Sequence, residues 1–292
     1  MGTVCTIKLF SDSSPQMYDE LFARLQEIDR RFSLTKADSD ISRINRAAGK
    51  EAVRVHDDVF YVIQKAVEFA ALTGGAFNPA IGTVSELWGF NSEEPTLPRQ
   101  TEIDARLPLL DYKNIILNQE EKSVFLAKEG MSLDLGGIAK GYAADELARL
   151  LEKGHVQGAV IDLGGNILLY GKKTDDSLWR TGIKNPLDPN GEAIFILSLP
   201  ACSVVTSGIY ERCFEKDGIS YHHILDPKTG RPADGDLLSL TVISSSSMEA
   251  DALSTALFVM GKKKALDFAE RSQTRIILID KSGNIVQSGE KN

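Results

Sequence analysis

Cysteine is scarce in this chain of 292 residues: Cys5, Cys202 and Cys213 are odd in number, far apart and never in a CxxC pair. They support neither a disulfide framework nor a zinc site, and they leave the redox compartment open. Long apolar runs are missing as well. The stretch from Ala252 to Met260, among the longest, falls well short of the roughly 20 residues that a membrane-spanning helix needs. Basic residues are in deficit, 33 Lys and Arg against 41 Asp and Glu for a net charge of -8. The chain therefore lacks the basic stripe that would attract a phosphate backbone, and nucleic acid is not an expected partner. The first residues, Met1-Gly2-Thr3-Val4-Cys5, show no charged region followed by an apolar one, so no signal peptide is expected, although a processed chain would read the same way. Neither a Walker loop nor a GxGxxG fingerprint is present. The acidic cluster of Asp38 and Asp40 lacks EF-hand spacing, and with Ser39 and Ser42 it reads as a helix cap.

What the chain does contain is globular in character. Hydrophobic residues make up 42% and charged residues 25%, with 24 Gly and 10 Pro, enough apolar surface for one large domain or two modest ones. The pattern reads as α+β, with mixed or antiparallel sheets and packed helices. Thr3 to Phe10 alternates like a strand, and Ser14-Pro15 opens a helix with Met17, Leu21, Leu25 and Ile28 on one face. A second helix starts at Asp57 and stops at Thr73-Gly74-Gly75. Residues 91–108, rich in Pro and acid, read as a surface excursion with at most one short helix. From residue 112 short strands are expected at Ile115–Leu117, Ser123–Leu126, Ala159–Ile161, Ile167–Tyr170, Leu238–Ile243 and Arg275–Ile279. A helix is expected from Lys140-Gly141 to Leu151 and another from Ser244–Ser247 toward Met260, and Lys281-Ser282-Gly283-Asn284 reads as a hairpin turn. The whole is read as one domain over 1–292, with a helix-rich part over 1–111 and a β-rich part over 112–292.

Three segments could carry chemistry. In Ser132-Leu133-Asp134-Leu135-Gly136-Gly137-Ile138-Ala139-Lys140-Gly141 a strand runs through glycines into a helix, whose unpaired N–H groups and Lys140 suit a phosphate. A tight structural turn is the alternative. In Ser244 to Phe258, Asp251 and Thr255 are four apart, which on a helix puts a carboxylate and a hydroxyl on one face, both hard oxygen donors suited to magnesium. Against this, Asp251 could serve backbone groups and Thr255 the preceding turn. In Tyr221-His222-His223-Ile224-Leu225-Asp226-Pro227-Lys228-Thr229-Gly230, the two histidines end a strand and point to opposite faces, so one could act as a general base or both could be structural. Asp162-Leu163-Gly164-Gly165-Asn166 reads as a tight hairpin, and Val205-Thr206-Ser207-Gly208 as a turn that could cap a helix or line a pocket.

Taken together these segments, with Asp38-Ser39-Asp40-Ile41-Ser42-Arg43-Ile44-Asn45 and Thr73-Gly74-Gly75-Ala76-Phe77, resemble the ApbE family of flavin transferases over nearly the whole chain. The resemblance implies an ApbE-like, T-fold-like architecture. It also implies a magnesium-dependent FAD:protein FMN transferase, which attaches FMN through a phosphoester to a Thr or Ser of a target protein and releases AMP. Carried over by position, Asp251, Thr255 and the carbonyl of Gly137 would hold Mg2+, and Asp134 and Lys140 would contact FAD. Met1, Ala76, Phe77, Asn78 and Ile224 would border the flavin nucleotide, and His223 would be the general base. The sequence departs from the family's pattern twice. Asn78 stands where many members have Asp, and Thr35 where many have a Tyr that would pack on the dinucleotide. The second departure keeps open an FAD pyrophosphatase that gives free FMN and AMP; a non-catalytic FAD-binding protein is a third reading. The family's acceptors are subunits of membrane redox complexes, such as the Na+-translocating NADH:quinone reductase and related electron-transport complexes. By the same resemblance the expected location is the extracytoplasmic, periplasmic face of a bacterial inner membrane, often on a lipoprotein; no lipidation motif is visible here, and the cytoplasm stays open. Oligomeric state is not legible.

Overall fold

The computed structural model describes residues 3–10, 15–90, 92, 94–188 and 191–289. In chain order its elements are β1 (Cys5–Leu9), α1 (Pro15–Phe32), α2 (Asp40–Arg46), β2 (Val53–Arg54), α3 (Asp57–Leu72), α4 (Gly82–Trp88), α5 (Gln100–Arg106), β3 (Ile115–Asn118), β4 (Ser123–Leu126), α6 (Ala139–Lys153), β5 (Gly158–Leu163), β6 (Asn166–Gly171), β7 (Trp179–Lys184) and β8 (Ala193–Leu199). There follow β9 (Cys202–Gly208), β10 (Cys213–Lys216), β11 (Ile219–His222), β12 (Leu225–Asp226), β13 (Arg231–Pro232), β14 (Leu237–Ser244), α7 (Ser247–Met260), α8 (Lys262–Ser272), β15 (Arg275–Asp280) and β16 (Ile285–Ser288). The α+β reading holds. Every ladder between these strands is antiparallel.

Two compact units make up the chain, and neither is one continuous stretch. The first combines Glu27–Ala139 with Glu211–Asp234; the second combines Gly2–Gln26, Lys140–Tyr210 and Gly235–Asn292. A cut at residue 111 or 112 does not coincide with these units, because Glu211–Asp234, read as part of a β-rich half, packs with the α2–α5 region.

The second unit is built on a seven-stranded sheet of order β1-β5-β6-β9-β14-β15-β16. Gly164 and Gly165, at φ 68° and 87°, make the tight turn between β5 and β6 that Asp-Leu-Gly-Gly-Asn predicts. Only residues without a Cβ enter that region freely. α7 packs against β9 and β14. It is buried nearly all round, with Ala250, Ala252, Leu253, Ala256, Leu257 and Phe258 covered, the pattern of a helix enclosed by protein rather than one with a wet face. Its start is fixed by Ser246, whose side chain accepts from the Glu249 N–H. Thr206-Ser207-Gly208, expected as a turn, instead lies inside the central strand β9. There Thr206 bonds Thr241 of β14 at 2.8 Å. The β7–β8 hairpin and α8 had no counterpart in the sequence reading.

In the first unit, Ser39 caps α2 by accepting the Ser42 N–H at 3.0 Å, as the Asp-Ser-Asp cluster predicts. α3 ends at Gly74 and Gly75, both left-handed, where the Gly75 N–H returns to the Ala70 carbonyl at 2.8 Å. α4 was not expected. Its Trp88 is fully buried and donates from Nε1 to the Gly230 carbonyl at 2.8 Å. Trp88 also meets Phe90 and Tyr221 at ring separations of 5.7 and 5.6 Å, and Phe214 stacks on Tyr221 at 5.4 Å, anchoring the β10–β11 hairpin on α4.

Candidate active site

In the second unit the N-terminal turn of α6 meets the N-terminal half of α7 at unusually short range. A Cβ on Gly141 would stand 2.6 Å from the Met248 Cα and collide with the Ser247 carbonyl, so only glycine allows the two backbones to close. This closeness brings the Gly141 N–H to within 2.9 Å of Asp251 Oδ2, while Lys140 Nζ lies 3.8 Å from Oδ1. Asp251 is 3% exposed. Burial pushes its carboxyl above the ordinary carboxylate range, and Lys140, the Gly141 N–H and the Asn166 amide work in the opposite direction, favouring the anion. One turn on, Thr255 Oγ1 stands 3.5 Å from Ser207 Oγ, and Ser207 Oγ stands 2.9 Å from Ser254 Oγ, whose hydroxyl donates to the Asp251 carbonyl at 3.0 Å. Asp251 and Thr255 thus stand one turn apart on α7, with the hydroxyls of Ser207 and Ser254 beside Thr255.

A second carboxylate fixes this arrangement. Asp145 accepts from the Ser246 hydroxyl at 3.1 Å and from the N–H groups of Ser247 and Met248 at 2.8 and 3.0 Å, closing the N-terminus of α7.

In the first unit, Asp134 is held by the Gly136 N–H at 2.8 Å and by the Ser85 hydroxyl at 3.3 Å, and its own N–H donates to the Pro79 carbonyl. Gly137 follows in the loop before α6. Asn78 is buried. Its Nδ2 donates to the Leu110 carbonyl at 2.6 Å and its Oδ1 accepts the Ala80 N–H at 3.0 Å, so both ends serve the fold. An ionised Asp at this position could not donate to the Leu110 carbonyl, so the amide is required by the fold. Phe77 is buried beside it and Ala76 is half-buried. Thr35 is exposed, and its N–H donates to the Ser33 hydroxyl at 3.1 Å. Met1 lies outside the described residues.

The two histidines take different partners, with His222 ending β11 and His223 just beyond it. His222 Nε2 donates to the Ala233 carbonyl at 3.2 Å. His223 Nδ1 donates to the Arg212 carbonyl at 3.3 Å, and the backbone N–H of His223 donates to the same oxygen at 3.0 Å. A carbonyl only accepts, so this bond selects the tautomer with its proton on Nδ1 and the basic lone pair on Nε2. Ile224 is buried, its carbonyl taken by the Ala233 N–H.

The sequence profile of the ApbE family matches residues 1–279. The chain belongs to the ApbE family. An FAD:protein FMN transferase of Klebsiella pneumoniae is 37% identical over 289 residues, covering 99% of this chain and 89% of that protein. One of Treponema pallidum is 36% identical over 282 residues, covering 91% of this chain and 78% of its own. The crystal structure of the ApbE protein of Thermotoga maritima superposes with a TM-score of 0.91 at 35% identity, over 98% of this chain and 94% of that one.

Within this ApbE protein the donors suit a hard divalent cation. Among the described residues no three His, Cys, Asp or Glu side chains cluster in a metal-binding arrangement, and the three cysteines are free thiols. A buried carboxylate with a hydroxyl one turn on suits Mg2+, which keeps few protein ligands and fills its shell with substrate oxygens and water. It does not fit zinc. The sequence offered Ser207 as a residue that could cap a helix or line a pocket, and gave Asn166 only a place closing a glycine turn and Ser247 one at a helix start.

Proposed function

We propose that the protein transfers the FMN half of FAD to a Ser or Thr hydroxyl of a target protein, releasing AMP. Membership of the ApbE family and the named activity of its relatives support the flavin transfer. The observation that carries the chemistry is the buried Asp251 carboxylate, held by the Gly141 N–H, with Lys140 on its other oxygen and Thr255 one turn away. In this reading Asp251 and Thr255, with the Gly137 carbonyl that the family pattern adds, hold Mg2+, which offsets charge on the pyrophosphate. Lys140 and Asp134 orient FAD, and Ala76, Phe77, Asn78, Ile224 and Met1 border the flavin nucleotide. His223 takes the acceptor hydroxyl's proton on Nε2 as that oxygen bonds to the FMN phosphorus. The bond from that phosphorus to the bridging oxygen breaks, and the oxygen leaves with AMP, a substitution governed by positioning and charge.

Thr35 favours a second reading. Its short, exposed side chain leaves no ring to cover a bound dinucleotide, so water could replace the protein acceptor and give free FMN and AMP. The acceptors we infer are subunits of membrane redox complexes at the extracytoplasmic face of a bacterial membrane. Incubation with FAD and Mg2+, with and without a Thr-bearing acceptor peptide, followed by mass analysis, separates the readings. FMN on the peptide with equimolar AMP is the expected result. Free FMN and AMP regardless of peptide would make the protein a pyrophosphatase, and no AMP at all would make it an FAD carrier.

A further inference from the structure

Asn166 opens β6 and is fully buried. Its Oδ1 accepts a 2.7 Å hydrogen bond from the Ser247 hydroxyl. Its Nδ2, although shut away from water, closes no hydrogen bond of ordinary geometry. Ser247 and Asp251 are four apart on α7, one turn along the same face, so the bond that holds the amide on Ser247 also sets it beside the Asp251 carboxylate, whose charged form it favours. An amide has two distinguishable ends, and the bond from Ser247 decides which of them faces Asp251. Ser247 is itself fixed, because its backbone N–H is held by Asp145 at 2.8 Å. A buried donor left short of a partner costs stability.

We propose that Asn166, oriented by Ser247, is a positioning residue for the Asp251 carboxylate. It restricts the carboxylate's rotation so that Oδ2 stays on the Gly141 N–H and Oδ1 is presented to the cation. The chain of fixed groups runs from Asp145 through Ser247 and Asn166 to Asp251, so the same residue that closes the helix also sets the ligand. This inference rests on the proposed metal role of Asp251, and outer partners of metal ligands characteristically tune affinity in this way.

The test is Mn2+ binding to the full chain without FAD, followed by electron paramagnetic resonance, with FAD binding in metal-free buffer followed by flavin fluorescence. In Asn166→Ala, Mn2+ affinity falls about tenfold, the lower end of what loss of an outer partner costs, while metal-free FAD affinity is unchanged. In turnover the Mg2+ concentration for half-maximal rate rises and the KM for FAD does not. Ser247→Ala gives a smaller loss in the same direction, and it carries the test alone if Asn166→Ala does not fold. Wild-type Mn2+ affinity in the folded variants, or equal loss of Mn2+ and metal-free FAD binding, overturns the inference. Wild-type protein that binds no Mn2+ overturns the metal reading of Asp251 and the inference with it.

Discussion

Asp145 and Asp251 lie on the same pair of helices, both withdrawn from water, and they are treated in opposite ways. Asp145 receives three hydrogen bonds from the first turn of α7. Asp251 accepts from the Gly141 N–H at 2.9 Å, with the Lys140 ammonium 3.8 Å from its other oxygen and the Lys140 N–H and the Asn166 amide also favouring its charge. Burial raises both carboxyls from their ordinary range, and the donors around each pull back toward the anion. The donors on Asp145 all belong to one helix end and complete it, whereas those around Asp251 include a lysine side chain, a charge that also suits an anionic ligand. The contrast separates a residue that builds the site from one that works in it.

The largest break in that comparison should come from Asp251→Asn. The substitution is nearly isosteric and keeps an oxygen for the Gly141 N–H, but it removes the cation's charged ligand. Mg2+-dependent AMP release should fall by more than the roughly 100-fold that loss of an outer partner can cost, while metal-free thermal stability holds or rises because a buried charge has gone. The sign of the pH effect follows. A carboxyl whose folded pKa is raised contributes stability at low pH, and that contribution is lost as pH rises from the unfolded value through the folded one. Removing Asp251 should therefore weaken the decline in metal-free stability on the alkaline side of the carboxylate range, read by melting temperature across a pH series. Undiminished Mg2+-dependent turnover in Asp251→Asn would end the metal assignment.

Gly141→Ala acts on both carboxylates at once. Its Cβ would press on the Ser247 carbonyl and the Met248 Cα, forcing α6 and α7 apart. Overpacking of this kind costs about 1–3 kcal/mol, against which alanine regains up to about 1 kcal/mol of helix propensity. Urea titration should show the net loss, and Mn2+ affinity should fall with it. Asp145→Ala removes donors' partners at the helix start alone. It should cost on the order of 1 kcal/mol, as loss of a cap does, with a smaller weakening of Mn2+ binding than Asn166→Ala, because Ser247 is loosened and not removed. A cap variant that abolished metal binding while leaving stability intact would reverse the division of labour between the two acids.

How much of this could be read from sequence depends on where each partner lies. Asp251 and Thr255 are legible because both belong to one helix and the 3.6-residue period places them together. Lys140 is legible because the glycines before it announce a helix start. Asn166 is not, because its own segment is fully accounted for by the Gly164-Gly165 turn and its partner Ser247 lies 81 positions away. β9 was hidden for a related reason. Thr206-Ser207-Gly208 has the chemistry of a cap, and its hydroxyls are tolerable in a central strand only because Thr241 and Ser254 meet them from β14 and α7. The interleaving of the two units escapes any reading by composition, since Glu211–Asp234 is short and β-rich and yet packs with a helical region far upstream.

A third carboxylate sharpens the comparison at its weak end. Asp280, at the turn between β15 and β16, accepts from Lys262 Nζ at 2.7 Å, from the N–H groups of Ser282 and Asn284 at 3.0 and 2.9 Å, and from Asn284 Nδ2 at 3.1 Å. These donors, Lys262 foremost, bring its carboxyl down to about 2. Here the sign is opposite to that at Asp251. A depressed folded pKa contributes stability above the unfolded value, near 4 for Asp, and the contribution is lost as pH falls from there through about 2. Asp280→Asn keeps the shape of the turn and removes the charge. Its urea midpoint should lie slightly below wild type at neutral pH and converge with it toward pH 2, with Mn2+ affinity unchanged throughout. A gap that stayed constant with pH would show that Asp280 contributes through turn geometry and not through its charge.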